Sequence, residues 1–188
     1  MKIVAHIIAT VCVLGLSPIA FAQDTAAPAE GEAPAAESKT PAGGVPDEVI
    51  RDVFDDWQVR CSEIRQECYM YQLAIDAREV PVAEVSIVAL KDRENVKAGI
   101  TVVTPLRTSL AEGLLLQIDN GQVQKYQYSW CTEVGCFSRF GVTENGVTAF
   151  KRGNKARLTV TSIERPNSPV ILDVSLKGFT AAYNSLSK

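Results

Sequence analysis

The sequence predicts an all-β domain, built as a β-sandwich or a barrel, with one or two short helices. Apolar and polar residues alternate with a period of two in several short stretches, which is the pattern of strands with one buried face. Turn-forming residues separate these stretches. Many short strands with turns between them are typical of sandwiches and barrels.

The strand signals follow one another from Trp57 to the C-terminal region. Trp57, Val59 and Cys61 alternate with polar residues, and the alternation is clearest near the end of the chain, where Val170 and Leu172 share a face. The predicted strands cover residues 57–61, 68–75, 82–90, 99–103, 114–118, 123–128, 156–163 and 169–177.

The segments between the predicted strands carry turn and helix signals. Asp119-Asn120-Gly121 contains the Asn-Gly pair that favours a hairpin turn, and residues 164–169 read as a loop. Two short helices are expected, at residues 143–152 and 180–186.

The first 22 residues resemble a signal peptide. A basic Lys2 precedes a long apolar run, and Ala20-Phe21-Ala22 is a small-x-small cleavage site. Two alternatives remain: a retained membrane anchor, since the run is long enough to consider, and a lipoprotein modified at Cys12. Cleavage after Ala22 predicts a periplasmic or secreted protein of the Gram-negative envelope.

Residues 23–52 differ in composition from the rest of the chain. They are rich in alanine, proline and glutamate, lack aromatic residues and cannot bury enough apolar surface to fold. We expect a disordered linker here, serving as a tether or spacer. The folded domain is then predicted to cover residues 53–188, a length that supports a core of its own.

Four cysteines lie in the predicted domain as two close pairs. An exported chain uses such pairs as disulfides, and sequence proximity favours Cys61–Cys68 and Cys131–Cys136 over the two crossed pairings. Neither pair has the CxxC spacing of a redox or zinc motif. The only histidine, His6, lies in the predicted signal peptide. We therefore expect no metal and no cofactor.

Enzymatic chemistry has little support in the sequence. Without a histidine the domain lacks the commonest general base, and no GxSxG, P-loop or GxGxxG motif is present. A Ser175–Lys177 pair on one strand face, or a carboxylate site using Asp119 or Asp173 with Lys177, are the candidates that remain. Alternation on a solvated strand face explains them equally well, so we predict a protein that is not an enzyme.

Binding is the more plausible function class for such a chain. Its formal net charge is −3 and no dense basic run occurs, which argues against nucleic acid and leaves at most peripheral membrane association. Aromatic residues cluster around the second cysteine pair, as a recognition surface or as core packing. The candidate binding residues are Tyr126, Tyr128, Trp130 and Phe137.

With these residues in place, the chain resembles the invasion-associated locus B family, small exported proteins of alphaproteobacteria. The resemblance covers nearly the whole domain and is carried by an ordered set of motifs. These are Asp56-Trp57-Gln58-Val59-Arg60-Cys61, Thr104-Pro105-Leu106, Leu110-Ala111-Glu112-Gly113, Gln117-Ile118-Asp119, the pair Cys131 and Cys136, and Ser175-Leu176-Lys177-Gly178-Phe179-Thr180-Ala181-Ala182.

The resemblance implies an immunoglobulin-like β-sandwich exported to the periplasm or cell envelope. The family takes its name from host-cell invasion by pathogenic members, and it brings no catalytic residues to this chain. The leading hypothesis is a binding protein with an envelope or host-surface partner. The alternatives are a structural envelope component tethered by its linker and, last, a carboxylate or lysine enzyme.

Overall fold

The computed structural model describes residues 48–91 and 93–186. These residues form eleven strands and two short helices, so the predicted all-β class is confirmed. In chain order the elements are β1 (Glu48–Phe54), β2 (Trp57–Ser62), β3 (Glu67–Ile75), β4 (Pro81–Ala89), β5 (Ala98–Thr104), β6 (Leu114–Ile118), β7 (Gln124–Tyr126), β8 (Trp130–Thr132), β9 (Gly135–Val142), α1 (Glu144–Arg152), β10 (Lys155–Ser162), β11 (Arg165–Ser175) and α2 (Phe179–Ser185).

The strands form one antiparallel sheet that divides into two layers. Seven strands follow one another in the order β1-β2-β3-β4-β5-β9-β8, here called the large layer. The small layer has the order β7-β6-β10-β11. Only the pair Asp173–Ile75 joins β11 to β3, so the sheet bends there and the layers can pack on each other. The sandwich-like architecture predicted from the sequence is confirmed.

The hydrophobic core lies between the two layers. β4 and β5 alternate buried and part-exposed residues along their length, as strands with one face in a core must do. Val85 and Ile100 of the large layer line the same small internal space as Leu158 and Val174 of the small layer. Burial of this apolar surface is the main favourable contribution to folding.

Both helices are anchored by features visible in the sequence. Thr143 caps α1 by accepting a hydrogen bond from the Gly146 N–H, and Val147 and Phe150 are buried. Gly178 precedes α2 in the left-handed conformation, at φ 82°. The predicted helices at 143–152 and 180–186 are confirmed to within a residue at each end.

Buried polar contacts tie the last strand to the start of the domain. The Trp57 indole N–H donates to the Ser175 carbonyl over 3.0 Å. The Gln72 side chain accepts from the Ser175 N–H over 2.7 Å and donates to the Asp56 carbonyl over 2.9 Å. These bonds satisfy buried groups that would otherwise each cost about 1–3 kcal/mol.

Three segments differ from the sequence prediction. Residues 48–52, predicted as linker, belong to β1, so folded structure begins before the predicted boundary at 53. The prediction of a loop at residues 164–169 is wrong, because β11 starts at Arg165 after a tight turn. Strands β8 and β9 were not predicted.

The predicted signal peptide at 1–22 and the linker at 23–47 lie outside the described residues. Within the described part of the chain, no helix is long and apolar enough to span a membrane.

Candidate binding face

The outer face of the large layer carries an open groove of about 700 Å³. Its centre is a row of residues paired side by side across β2, β3, β4, β5 and β9. The row is Gln58, Tyr71, Ser86, Thr101 and Arg139, and all of these except Gln58 line the groove. A parallel row on the same face holds Glu84, Val103, Phe137 and Trp130. Small hydroxyl side chains thus form the floor, and large aromatic and charged side chains form the two walls.

Arg60 and Tyr71 build the first wall. The Arg60 guanidinium lies 3.5 Å from the centre of the Tyr71 ring, a cation–π contact, and Tyr71 is 5% exposed. Gln58 Oε1 accepts hydrogen bonds from Arg60 Nε and Nη2 over 3.0 and 2.8 Å. The guanidinium is therefore held in place, yet within the described part of the chain it forms no ion pair.

Two tyrosines and two glutamates surround this guanidinium. The Tyr69 hydroxyl donates to the Glu48 carboxylate, and burial together with this carboxylate raises the pKa of Tyr69. Burial, and then the charge of Glu84, raises the pKa of Tyr71 to about 12. Both phenols therefore stay protonated at neutral pH.

Glu84 is a half-buried carboxyl that lines the groove. Burial raises its pKa, an effect that the positive charge of Arg60 opposes. The folded state therefore binds the Glu84 proton more tightly than the unfolded chain does. The contribution of Glu84 to the free energy of unfolding is therefore fully present at low pH, where the carboxyl is protonated. This contribution is lost as pH rises through the folded-state pKa of Glu84.

We expect Glu84→Gln to stabilise the domain at neutral pH relative to the wild type. The difference in free energy of unfolding between variant and wild type should become more favourable to the variant from about pH 4 to pH 7, because only the wild type must ionise a half-buried carboxyl. Urea unfolding at the two pH values measures it. A difference that is constant with pH, or that shifts toward the wild type, would contradict this electrostatic picture.

Phe137 and Arg139 line the second wall, and Trp130 lies beside them. Trp130 and Phe137 are opposite each other on β8 and β9, and their rings stack with centres 5.3 Å apart. The Arg139 guanidinium lies 5.1 Å from the Trp130 ring centre, and its Nε donates to Thr101 Oγ1 over 3.3 Å. Like Arg60, Arg139 has no ion-pair partner among the residues that the structure describes.

The four aromatic residues predicted as a binding cluster separate into two groups. Tyr126 and Tyr128 pack against the core, and the Tyr126 ring stacks on Phe140 with ring centres 3.5 Å apart. Trp130 is 41% exposed, and its stacking partner Phe137 lines the groove. The structure thus places only Trp130 and Phe137 beside the groove, and a binding role for any of the four stays a prediction.

Both cysteine pairs form the disulfides favoured by sequence proximity. Cys61 and Cys68 are directly opposite on β2 and β3, with Cα atoms 4.1 Å apart. Cys131 and Cys136 are opposite on β8 and β9, at 4.0 Å. Each disulfide closes a hairpin that contributes to the large layer, so the two bonds hold the outer strands of the groove.

Loss of either disulfide should lower stability without preventing folding. On the chain-entropy relation a loop this short contributes about 2–2.5 kcal/mol per bond. The core provides the rest of the stability, so double serine variants of each pair should still unfold cooperatively. Urea unfolding of Cys61→Ser/Cys68→Ser and Cys131→Ser/Cys136→Ser measures the loss. An unchanged midpoint in both would show that the bonds do not stabilise the domain.

The candidate catalytic residues are held in structural contacts. The Asp119 carboxylate accepts from the backbone N–H groups of Asn154 and Lys155. The Asp173 carboxylate pairs with Lys155 Nζ over 2.7 Å at the surface. Lys177 Nζ lies 3.2 Å from an Asp55 carboxylate oxygen, in a contact separate from the other two.

These contacts give no support to the enzyme alternatives. The shallow surface depression beside Asp119 is lined by neither Asp173 nor Lys177. The Ser175 hydroxyl accepts from the Lys177 backbone N–H, and the Lys177 amine pairs with Asp55. Among the described residues, no group of three or more histidine, cysteine, aspartate or glutamate side chains is arranged to hold a metal ion.

Sequence reasoning missed most of the groove. Arg60, Tyr69, Tyr71, Glu84 and Arg139 were not among the predicted site residues. A usable signal existed in Tyr69-Met70-Tyr71, where a buried methionine separates two outward-facing tyrosines.

The family model for the invasion associated locus B (IalB) protein matches residues 57–187 of this chain. This chain belongs to the IalB family. The match runs from the first core tryptophan to the end of α2, so it includes both disulfides and most of the groove. The resemblance noted from the sequence motifs is thereby confirmed.

Individual members of the IalB family are related to this chain along most of its length. An invasion protein B homologue of Brucella abortus strain 2308 is 29% identical over 142 residues, which cover 73% of this chain and 79% of the relative. A second homologue, from Brucella abortus biovar 1 strain 9-941, matches equally well. The crystal structure of invasion associated protein B from Bartonella henselae superposes with a TM-score of 0.63 at 25% identity, covering 72% of this chain and 94% of the other.

Proposed function

We propose that this chain is an exported, non-enzymatic protein of the cell envelope that acts by binding a partner in the groove. One observation carries the proposal: two guanidiniums that contact neighbouring side chains but have no ion-pair partners in the described residues lie on one open face. An arginine that has no ion-pair partner and is ordered by neighbouring side chains is prepared to bind a ligand, since less conformational entropy is lost on association.

Three further observations support this function. The two disulfides suit an oxidising compartment outside the cytoplasm, as the signal-peptide pattern of residues 1–22 predicts. The candidate catalytic side chains are occupied in structural contacts. Related proteins are named for invasion, which makes association with host cells one setting in which the groove would act.

A bulky residue on the groove floor should abolish binding to envelope material. Thr101 lies in the central row between Ser86 and Arg139, so Thr101→Trp would fill the space that a ligand needs. We expect the purified protein to bind isolated envelope fractions saturably and Thr101→Trp to bind at least tenfold more weakly. A sedimentation assay over a concentration series measures both.

Ile171→Trp provides the matched control. Ile171 is 55% exposed on β11 of the small layer and is not part of the groove, so the same bulky substitution there should leave binding unchanged. Equal binding by Thr101→Trp and the wild type would contradict the proposed site. An equal loss in both variants would do the same.

A further inference from the structure

We propose that the groove selects an extended acidic polypeptide segment, whose carboxylates pair with Arg60 on one wall and Arg139 on the other. This inference rests on the proposed function, because it assigns a ligand class to the same groove. Guanidinium groups recognise carboxylates through paired N–H donors, and charge-assisted hydrogen bonds of this kind are stronger than neutral ones.

The partners of the two arginines explain why they are available to a ligand. Arg60 uses Nε and Nη2 to contact the neutral Gln58 side chain, and Arg139 uses Nε to contact the neutral Thr101 hydroxyl. Each guanidinium also lies over an aromatic ring, at 3.5 Å for Arg60 and 5.1 Å for Arg139, which restricts its movement. The Glu84 carboxylate also interacts with the charge of Arg60, but neither arginine forms an ion pair within the described part of the chain. Further N–H donors on each guanidinium are therefore left for an anion.

The glutamates of the groove argue against a uniformly anionic surface as the ligand. Glu48, Glu67 and Glu84 line the groove together with its arginines, so the face has mixed charge while the chain as a whole is acidic. A membrane or a dense polyanion would bring negative charge against these carboxylates. A peptide can instead place its acidic side chains at chosen positions and uncharged residues elsewhere.

The strand spacing sets the separation of the acidic groups. Arg60 is on β2 and Arg139 on β9, which are four strand positions apart in the large layer. At about 4.8 Å per strand this is roughly 19 Å across the sheet, and Arg60 lies two residues from Gln58, which is level with Arg139, so the backbone separation is about 20 Å. An extended chain advances about 3.3 Å per residue, so about six residues cover that distance. Six is also an even number, which directs both acidic side chains to the same side of an extended peptide.

Fluorescence anisotropy with three labelled peptides tests the inference on the purified full chain. One peptide carries two glutamates six residues apart in a Ser/Thr background, the second has them three residues apart, and the third replaces both with glutamine. We expect the first to bind about tenfold or more tightly than the third and clearly more tightly than the second. Arg60→Gln and Arg139→Gln should each remove most of this preference.

Arg165→Gln is the control, because Arg165 is an exposed arginine on β11, away from the groove. It should bind the first peptide as the wild type does. Unfolding midpoints of all three variants exclude misfolding as a cause of lost binding. Since Arg139 is exposed, Arg139→Glu offers a second substitution that should fold and should reverse the preference between the glutamate and glutamine peptides.

Three results would overturn the inference. The glutamate and glutamine peptides could bind equally or not at all, or Arg165→Gln could lose as much binding as the groove variants. Vesicles containing phosphatidylglycerol could instead bind in an Arg60- and Arg139-dependent way while the peptides do not, which would make the ligand a membrane. If the peptides fail while Thr101→Trp still abolishes envelope binding, the acidic-segment inference is wrong and the proposed function stands.

Discussion

Phe179→Ala should destabilise the domain by about 3–5 kcal/mol, which is the range for removing a fully buried aromatic side chain. Phe179 is 1% exposed and opens α2. Its ring contacts three others, with centres 5.5 Å from Trp57, 5.3 Å from Phe150 and 6.0 Å from Tyr183. Truncation leaves a cavity in this cluster and removes the anchor of α2. Urea unfolding of the disulfide-bonded protein measures the loss.

Two matched variants separate cavity formation from other effects. Phe179→Leu keeps most of the volume and should cost less than about 1.5 kcal/mol. Ile171→Ala removes an apolar side chain that is 55% exposed, so it should change the free energy of unfolding by less than about 1 kcal/mol. A Phe179→Ala variant within 1 kcal/mol of the wild type would contradict the described packing of α2.

Gly178→Ala is the second change with a large expected effect, a loss of about 2–4 kcal/mol. Gly178 has φ 82°, which L side chains rarely adopt, and a Cβ atom there would lie 2.1 Å from the Phe54 carbonyl oxygen. The backbone of either β1 or the α2 entry must therefore move. The unfolding midpoint and the near-ultraviolet circular dichroism of Trp57 report the two consequences.

Asparagine at the same position identifies the cause of the loss. Asparagine tolerates positive φ but carries a Cβ, so Gly178→Asn should be nearly as destabilising as Gly178→Ala if the clash with Phe54 dominates. Gly146→Ala, within α1, should stay within about 1 kcal/mol of the wild type, because alanine favours helix and its closest new contact is a side chain at 3.1 Å. A well-tolerated Gly178→Ala would contradict the close approach.

The parts of the fold that the sequence predicts are those where alternation and burial coincide. In β4, β6 and β10 every buried residue is apolar, and in β5 every buried residue except Thr104 is. The disulfide pairing was favoured for a related reason, since each pair closes a hairpin between strands adjacent in the chain. Short sequence patterns predict these elements because the residues that form them are close together in the chain.

In the strands that the sequence did not predict, apolar alternation and burial do not coincide. β1 is an edge strand with a register shift between Ile50 and Asp52, which breaks the alternation, and most of its residues are exposed. In β9 the buried face includes Ser138, which a hydrophobicity pattern does not mark as interior. The start of β11 contains Pro166 in an exposed stretch, so turn-forming composition concealed a strand.

The groove was hard to predict because it depends on contacts between distant segments. Arg60, Tyr71, Glu84 and Arg139 come from four strands and meet only through the sheet order, in which β9 pairs with β5. On each strand the outward positions look like ordinary solvated residues. The aromatic cluster is visible in the sequence because its members are close together in the chain, and only Trp130 and Phe137 lie beside the groove.

Site-specific photo-crosslinking in intact cells tests the binding role of the groove most directly. Val88 is 38% exposed and lines the groove, whereas Ile171 is 55% exposed on the small layer. A photoreactive phenylalanine analogue at position 88 should yield a discrete crosslinked species that Thr101→Trp abolishes, and the same analogue at position 171 should not. Crosslinking from position 171 but not from position 88, or a product at position 88 that persists with Thr101→Trp, would contradict binding in the groove.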